Sequence, residues 1–533
     1  MVLGHSHRRH SGASNRSSGE DHRSDVVSQE DETVVDGEQG NMLTHIISQL
    51  RPGADLSRVT LPTFILEPRS MLERITNFMA HPETLLPMTQ IDDPIERFVS
   101  VVKFYLSGWH IKPPGVKKPL NPILGEIFTC YWDYPDHTRG YYISEQTSHH
   151  PPKSSYFFMA PEHHIRIDGT LKPRSKFLGN SAASMMEGIA VMRFLNTGER
   201  FFITQPNMYA RGILFGKMRY ELGDHSFVRC PESGLEADIE FKTKGYFSGT
   251  YNAIAGYIKD SKSGKNLYEL SGLWNEEMYI KDLTTGKKQL LFDASRAKET
   301  PPKARPLDEQ EERESQRLWA KVTQAIRSKD QDTATEEKSR IEYIQRTEAA
   351  KRLDEGVDWH PRLFREVRGG PGGSEQGEED LDWIINTKID GKTPQEQIKQ
   401  ILHIAAILPG QGINRRFSIP SHKSSHEQDH ALPHLQPQPE APQQHFTGNV
   451  INWSEAQPAP ANPPAPANHP VPTISSNPPP QPNSAPPTQR EENPPPAILT
   501  NEEPLVRTEP RGQPVKRMDT ETAEVEQFHD AQS

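Results

Sequence analysis

Apolar residues along this chain change their spacing from helical to alternating and back again. Leu43, Ile46, Ile47 and Leu50 recur at helical intervals and stop at Pro52-Gly53, which predicts a short amphipathic helix. A piece of that length is unstable alone and needs an apolar surface to cover. Ser70-Met71-Leu72-Glu73 reads as a capping box opening a helix whose core face holds Leu72, Ile75, Phe78 and Met79. Asp93-Pro94-Ile95-Glu96 signals another start, with Phe98, Val102 and Tyr105 along one side and Gly108 at its end.

From about Phe128 to Ala294 the pattern becomes β. Candidate strands are Tyr141–Ser144, Ser155–Met159, Ile165–Gly169, Ile189–Phe194, Phe201–Thr204, Ile239–Thr243, Leu267–Leu270 and Gln289–Phe292. Turn residues such as Gly169, Thr197-Gly198 and Thr285-Gly286 separate them. So many closely spaced strands predict a meandering antiparallel sheet too large for one flat layer. Curling into an incomplete barrel is the natural outcome, and a wide barrel can hold a ligand in a central tunnel. The fold class expected is α+β.

Helical spacing returns after Pro306, with Trp319, Val322 and Ile326, and then in a helix led by Thr335-Glu336-Glu337-Lys338 that ends near Leu353. Gly369 to Glu379 reads as a linker. Thr393-Pro394-Gln395-Glu396 is a second capping box, opening a helix with Ile398, Ile401, Leu402, Ala405 and Leu408 on one face. Such a stripe is more often packed core than a membrane or partner helix. Residues 1–40 read as a disordered tail, and His5, His7 and His10 as solvated groups within it. Beyond Pro409 the chain is rich in Pro, Gln and Asn, and residues 409–533 are assigned no fold.

Composition supports a folded part diluted by tails. Hydrophobic residues make up 33% and mean hydropathy is −0.76, while roughly half of the 48 prolines follow residue 430. Cys130 and Cys230, 100 positions apart, have neither disulfide nor zinc-ligand spacing, which fits a reducing cytosol. The N-terminus lacks the apolar stretch of a secretory signal. No run approaches the ~18 apolar residues of a membrane span, so a soluble protein is expected. A net charge of −11 spread among both signs argues against a nucleic-acid partner.

Two segments carry the chemistry. In Glu145-Gln146-Thr147-Ser148-His149-His150-Pro151-Pro152 the prolines keep His150 out of a helix and set the imidazoles on a stiff extended turn. Lys117-Lys118-Pro119-Leu120-Asn121-Pro122-Ile123-Leu124-Gly125-Glu126 runs from cations through prolines to an apolar stretch. Lys338, Glu342 and Arg346 fall at i, i+4 and i+8 of one helix, so Glu342 can bridge two cations; alone, that pattern reads as a solvated ladder. Adjacent histidines on an extended segment point in different directions, and no HxH or HxxxH spacing follows, so no metal is expected. Ser148 and His149 lack a nucleophile elbow and an orienting acid, so hydrolase chemistry is not expected either.

On these residues the chain resembles the oxysterol-binding-protein-related lipid-transfer proteins. EQTSHHPP is that family's signature, KKPLNPILGE is a second matching block, and the likeness runs from about Leu43 to Phe364. It implies a lipid-binding domain over 41–395 with a lid at 42–58, followed by a terminal amphipathic helix at 396–408. It also implies a phosphatidylinositol 4-phosphate headgroup site of Lys118, Asn121, His149, His150, Lys338, Glu342 and Arg346. Lys, Arg and His suit a phosphomonoester through charge-assisted hydrogen bonds, and the histidine pKa values are expected to rise beside it. The blocks TLPTFILEPRSMLER and GWHIKPPGVKKPLNP look most like the branch that carries phosphatidylserine, which implies contacts from Leu61, Lys118, Asn121 and Ser175.

Each methylene moved into water costs about 0.8 kcal/mol, so two acyl chains cost on the order of 20 kcal/mol or more. A carrier therefore needs a gated apolar interior, and Leu43–Leu50 suits the gate; an ordinary helix packed on the domain is the other reading. The resemblance implies exchange of phosphatidylserine for phosphatidylinositol 4-phosphate at contacts between the endoplasmic reticulum and the plasma membrane. That is transport, not catalysis, and no cofactor is expected. A sterol carrier or sensor, and a lipid-regulated scaffold, are the alternatives. Glu526 to Ser533 resembles the FFAT motif, with Phe528, Asp530 and Ala531 matching and Gln527 departing, which implies a VAP-type receptor of the endoplasmic reticulum as partner.

Overall fold

Alternating inward and outward side chains build one antiparallel sheet of 14 strands. The structure, a computed structural model, describes residues 32–34, 37–56, 59, 61–215, 217–245, 249–368 and 381–412. The tail before Glu32, the linker from Gly369 and the segment bearing Phe528, Asp530 and Ala531 lie outside the described residues.

Three short strands, β1 (Glu32–Val34), β2 (Leu66–Ser70) and β3 (Lys118–Leu120), precede the main wall. The wall comprises β4 (Ile127–Asp133), β5 (Arg139–His149), β6 (Pro152–Ala160), β7 (Ile165–Phe177), β8 (Ser181–Phe194) and β9 (Arg200–Ile203). It continues through β10 (Asn207–Arg211), β11 (Lys217–Cys230), β12 (Leu235–Lys242), β13 (Ala253–Asp260), β14 (Asn266–Leu273), β15 (Glu277–Asp282) and β16 (Lys288–Asp293). The ladder runs β16-β15-β14-β13-β12-β11-β10-β8-β7-β6-β5-β4, with β9 beside β8 and β11, and β1 beside β11.

β4 and β16 do not pair, yet Phe128 and Trp132 of β4 share one buried cluster with Phe292 of β16. The sheet must curl to bring them together, as expected of an incomplete barrel. The free edge of β4 is covered by chain: Tyr131 N donates to Lys303 O at 2.9 Å and Lys303 N to Tyr131 O at 2.8 Å.

Five longer helices flank the wall: α1 (Gly37–Ser48), α2 (Pro94–Ser107), α3 (Ala320–Arg327), α4 (Gln331–Asp354) and α5 (Pro394–Ile404). α2 starts as expected, with the Asp93 side chain accepting from Ile95 N and Glu96 N. Its residues Phe98, Val101, Val102 and Tyr105 lie in the same cluster as Phe241 and Trp274 of the barrel interior. Tyr105 and Phe241 meet edge to face with centroids 6.5 Å apart, so α2 packs on the face of the sheet that carries Phe241.

Residues on β4 and β5 are buried on both faces. Phe128, Cys130, Trp132 and Tyr142 face the main core, while Ile127, Tyr131, Tyr141 and Ile143 pack outward against Leu363, Phe364, Ile401, Ile404 and Ile407. α5 opens with the expected capping box at Thr393 and Glu396, and it belongs to the barrel's outer layer.

Three local expectations need correction. Ordered elements begin at Glu32, ahead of the boundary expected near Met42, because β1 pairs with β11 and α1 starts at Gly37. The box at Ser70 yields one α turn, Met71–Arg74, followed by a tighter turn; Glu73 bonds to Gln316 instead of reaching back to the cap. α4 starts at Gln331 under an Asp330 cap, earlier than Thr335.

Candidate functional site

The signature octapeptide forms the end of a hairpin. β5 ends at His149 opposite Pro152, with His150 and Pro151 in the turn and a register shift between Gln146 and Ser148. Short polar side chains fix this end. Ser148 Oγ donates to Pro151 O at 2.7 Å, Gln146 Nε2 to Ser148 O at 2.9 Å, and Ser154 Oγ to Gln146 Oε1 at 2.6 Å. Glu145 is fully buried and clasps the closing segment, accepting from Arg362 N and Leu363 N at 2.7 Å each. Burial pushes its pKa up to about 7 against the pull of those two donors.

The second block supplies Lys118 on β3, and Glu126 anchors it from below. Glu126 is fully buried and accepts from Ser70 Oγ, from Ser315 Oγ at 2.6 Å, from Trp319 Nε1 at 2.9 Å and from Ile123 N at 3.0 Å. Burial raises its pKa while all four donors oppose the rise. Lys117 does not face the site, since its Nζ donates to Phe64 O at 2.5 Å.

α4 presents the third group. Its buried face runs through Ala334, Ile341 and Gln345, and Ile341 packs with Leu120, Ile123, Trp319 and Val322. Gln345 Oε1 accepts from Leu124 N at 2.8 Å, which fixes the helix against the loop that follows β3. Lys338 falls within this face, its side chain 13% exposed, and its Nζ lies 2.6 Å from Glu342 Oε1.

These elements bring Lys118, His149, Lys338 and Glu342 together. Burial and then the Lys338 charge lower the Lys118 pKa, with Asp55 and Glu342 opposing. His149 is lowered to about 4, first by burial and then by His150, whereas the Pro122 carbonyl and Glu342 pull it upward. The two imidazoles meet edge to face with centroids 4.7 Å apart. His149 Nδ1 is buried without a hydrogen-bond partner. Crowded cations and an orphaned ring nitrogen are what an anion with strong acceptors would satisfy.

Arg346, Asn121 and His150 are exposed, whereas Lys118, His149, Lys338 and Glu342 are half-buried. Each i+4 step on an α-helix overshoots a full turn by roughly 40°, so the row rotates outward from Lys338 through Glu342 to Arg346. Leu61 is half-buried in a separate apolar cluster under α1, with Leu43, Ile47, Leu56, Ile65, Phe177, Ile213 and Met218. Ser175, half-buried on β7 opposite Ser184, lies beside the Asp55–Lys176 bridge that ties the loop after α1 to the wall. Cavities of about 500 Å³ near Tyr134 and about 480 Å³ near Trp319 are lined by other residues.

Glu126, Glu145 and Gln345 escaped the sequence reading as site supports. The first two lay inside the quoted blocks, but burial and partner atoms, not spacing, reveal their role.

Free His149 is neutral near pH 7, and a bound dianionic phosphate raises its pKa. If the bound value exceeds the working pH, binding takes up a proton. Affinity for a phosphomonoester headgroup should then strengthen as pH falls from about 8 to about 7, above the second phosphate pKa of ~6. Calorimetry in buffers of differing ionisation enthalpy reads that uptake directly; none at either pH would contradict it.

Comparison with known proteins places the chain in a family. A family profile described as Oxysterol-binding protein matches residues 45–324, more than half of the 533-residue chain. Oxysterol-binding protein-like protein OBPalpha of Candida albicans is 52% identical over 392 residues, 73% of this chain and 90% of that protein. Oxysterol-binding protein homolog 7 of Saccharomyces cerevisiae is 55% identical over 393 residues, 72% of this chain and 87% of that protein. Among solved structures, the Osh1 ORD domain in complex with cholesterol aligns with a TM-score of 0.56 at 21% identity. It covers 70% of this chain and 92% of that one, and it supports the fold. The chain belongs to the oxysterol-binding protein family, whose members bind and transfer lipids.

Proposed function

We propose that the protein exchanges phosphatidylserine for phosphatidylinositol 4-phosphate between membranes, binding one lipid at a time. The observation that carries this reading is the pocket of Lys118, Lys338, Glu342 and His149, with its unpartnered Nδ1. A phosphomonoester supplies two negative charges and several acceptors to such a pocket. Leu61, in the apolar cluster under α1, would meet acyl chains, and Ser175 on β7 would meet a serine headgroup. Asn121, His150 and Arg346 are exposed groups on the same elements and would close on a bound headgroup. Mutually exclusive occupancy lets a gradient of one lipid drive the other uphill.

The cycle would run in the cytoplasm, at contacts between the endoplasmic reticulum and the plasma membrane. Phe528, Asp530 and Ala531 would recruit a VAP-type receptor there. Transfer between two vesicle populations tests the exchange. Labelled phosphatidylserine should move faster when the acceptor contains phosphatidylinositol 4-phosphate, with matched flow of the latter in return. Movement of labelled sterol without phosphatidylserine would overturn the cargo assignment.

A further inference from the structure

The cavity of about 480 Å³ near Trp319 lies between β2 and α3 and falls within the size range of small-molecule sites. Its buried lining is Ser70, Ser315 and Trp319, the same three side chains that donate to Glu126. Glu73 enters from the turn after β2 and carries the negative charge of the lining. Its Oε1 accepts from Gln316 Nε2, a neutral donor, at 3.0 Å. Arg69 does not answer that charge, because its guanidinium bonds to Glu67 and, at 3.0 Å, to Asn77 Oδ1. Burial raises the Glu73 pKa, with Gln316, Arg69 and Arg327 opposing. Arg327 lines the outer part, exposed, with its Nη2 3.5 Å from the Pro68 carbonyl, a long contact for a cation. Trp319 and Leu307 supply apolar surface between the two charges.

A lone cation in this cavity would also face Arg69 and Arg327, and a lone anion would face Glu73. A molecule bearing both charges satisfies the whole lining. We infer that the cavity is a second ligand site, taking a small zwitterion whose ammonium meets Glu73 and whose anionic group meets Arg327, and that its occupancy strengthens headgroup binding. The coupling rests on reading Lys118, Lys338 and His149 as a phosphate site. It runs through Glu126, which accepts from Ile123 N at 3.0 Å, next to the Pro122 carbonyl that meets His149. Trp319 also packs with Leu120 and with Ile341 of α4, the helix that carries Lys338. A ligand that holds Ser70, Ser315 and Trp319 in place therefore holds the loop and the helix that bear the headgroup cations.

Calorimetric titration of the full-length protein tests the site with 4-aminobutyrate and 6-aminohexanoate, and with butylamine and butyrate as single-charge controls. The two zwitterions should bind saturably, about tenfold more tightly than either control. Glu73→Gln and Arg327→Gln should each weaken them about tenfold or more. Arg327 is exposed, so that variant keeps the fold. Dihexanoyl phosphatidylethanolamine carries both charges on a lipid; binding of this molecule alone, lost in Arg327→Gln, would assign the site to a lipid headgroup. No binding by any of the three molecules, or binding unchanged in either variant, would overturn the site. Saturating zwitterion should also strengthen phosphatidylinositol 4-phosphate binding about fivefold, and Arg327→Gln should erase the gain without altering affinity in its absence. Headgroup affinity unmoved by a bound zwitterion would overturn the coupling. If the protein bound no phosphoinositide but still bound a zwitterion through Glu73 and Arg327, the second site would stand and the exchange reading would fall.

Discussion

Alanine at both His149 and His150 should abolish extraction of phosphatidylinositol 4-phosphate while leaving the protein folded. Each charge-assisted hydrogen bond to a phosphate contributes about 1.5–3 kcal/mol, so losing two lowers affinity roughly 10²- to 10⁴-fold. The fold should tolerate the change. His149 is half-buried with an unpartnered Nδ1, His150 is exposed, and both end a hairpin whose remaining hydrogen bonds come from Gln146, Ser148 and Ser154. The melting temperature should stay within about 2 °C of wild type. Phosphatidylserine uptake should persist, because Leu61, Lys118, Asn121 and Ser175 are untouched. Equal loss of both lipids would mean that the histidines shape the mouth and do not read the phosphate.

Glu126→Ala should produce the largest loss of stability. The carboxylate is fully buried and accepts from two hydroxyls, one indole N–H and one backbone N–H. Removing it strands all four donors away from water. Buried polar groups left unpaired cost about 1–3 kcal/mol each, and partial relaxation brings the expected total to about 3–5 kcal/mol. A drop of roughly 5 °C in Tm follows for a domain of this size. Glu126→Gln keeps one acceptor oxygen and should fall between. Headgroup affinity should weaken alongside, because the loop holding Asn121 and Pro122 hangs from this carboxylate. Urea denaturation with unchanged midpoints in both variants would show that the four contacts are not structural supports.

The sequence made the fold class legible because alternation survives wherever one strand face is wet. β12 is the clear case, with buried and part-exposed residues alternating from Leu235 to Phe241. β10, β11, β13 and β15 were not picked out. On β11, positions Glu221 and Leu222 are both buried, so alternation is lost where the wall is covered on each side. The two prolines made the octapeptide turn legible, and i+4 spacing placed Lys338 beside Glu342. What spacing could not show is depth. Lys338 is half-buried and Arg346 exposed for reasons of helix rotation against Leu120 and Ile123, a tertiary fact. The packing of α2 against Phe241 was equally hidden, because an amphipathic helix reads the same whichever face of a wall it covers.

Mass spectrometry of the lipids retained by the purified full-length protein tests the central claim most directly. The account predicts phosphatidylserine and phosphatidylinositol 4-phosphate in separate one-to-one complexes, with added phosphatidylinositol 4-phosphate displacing the other lipid. The Lys118→Ala and Lys338→Ala variants should lose the phosphoinositide complex. Sterol as the retained lipid, or a phosphoinositide complex undiminished in those variants, would contradict it.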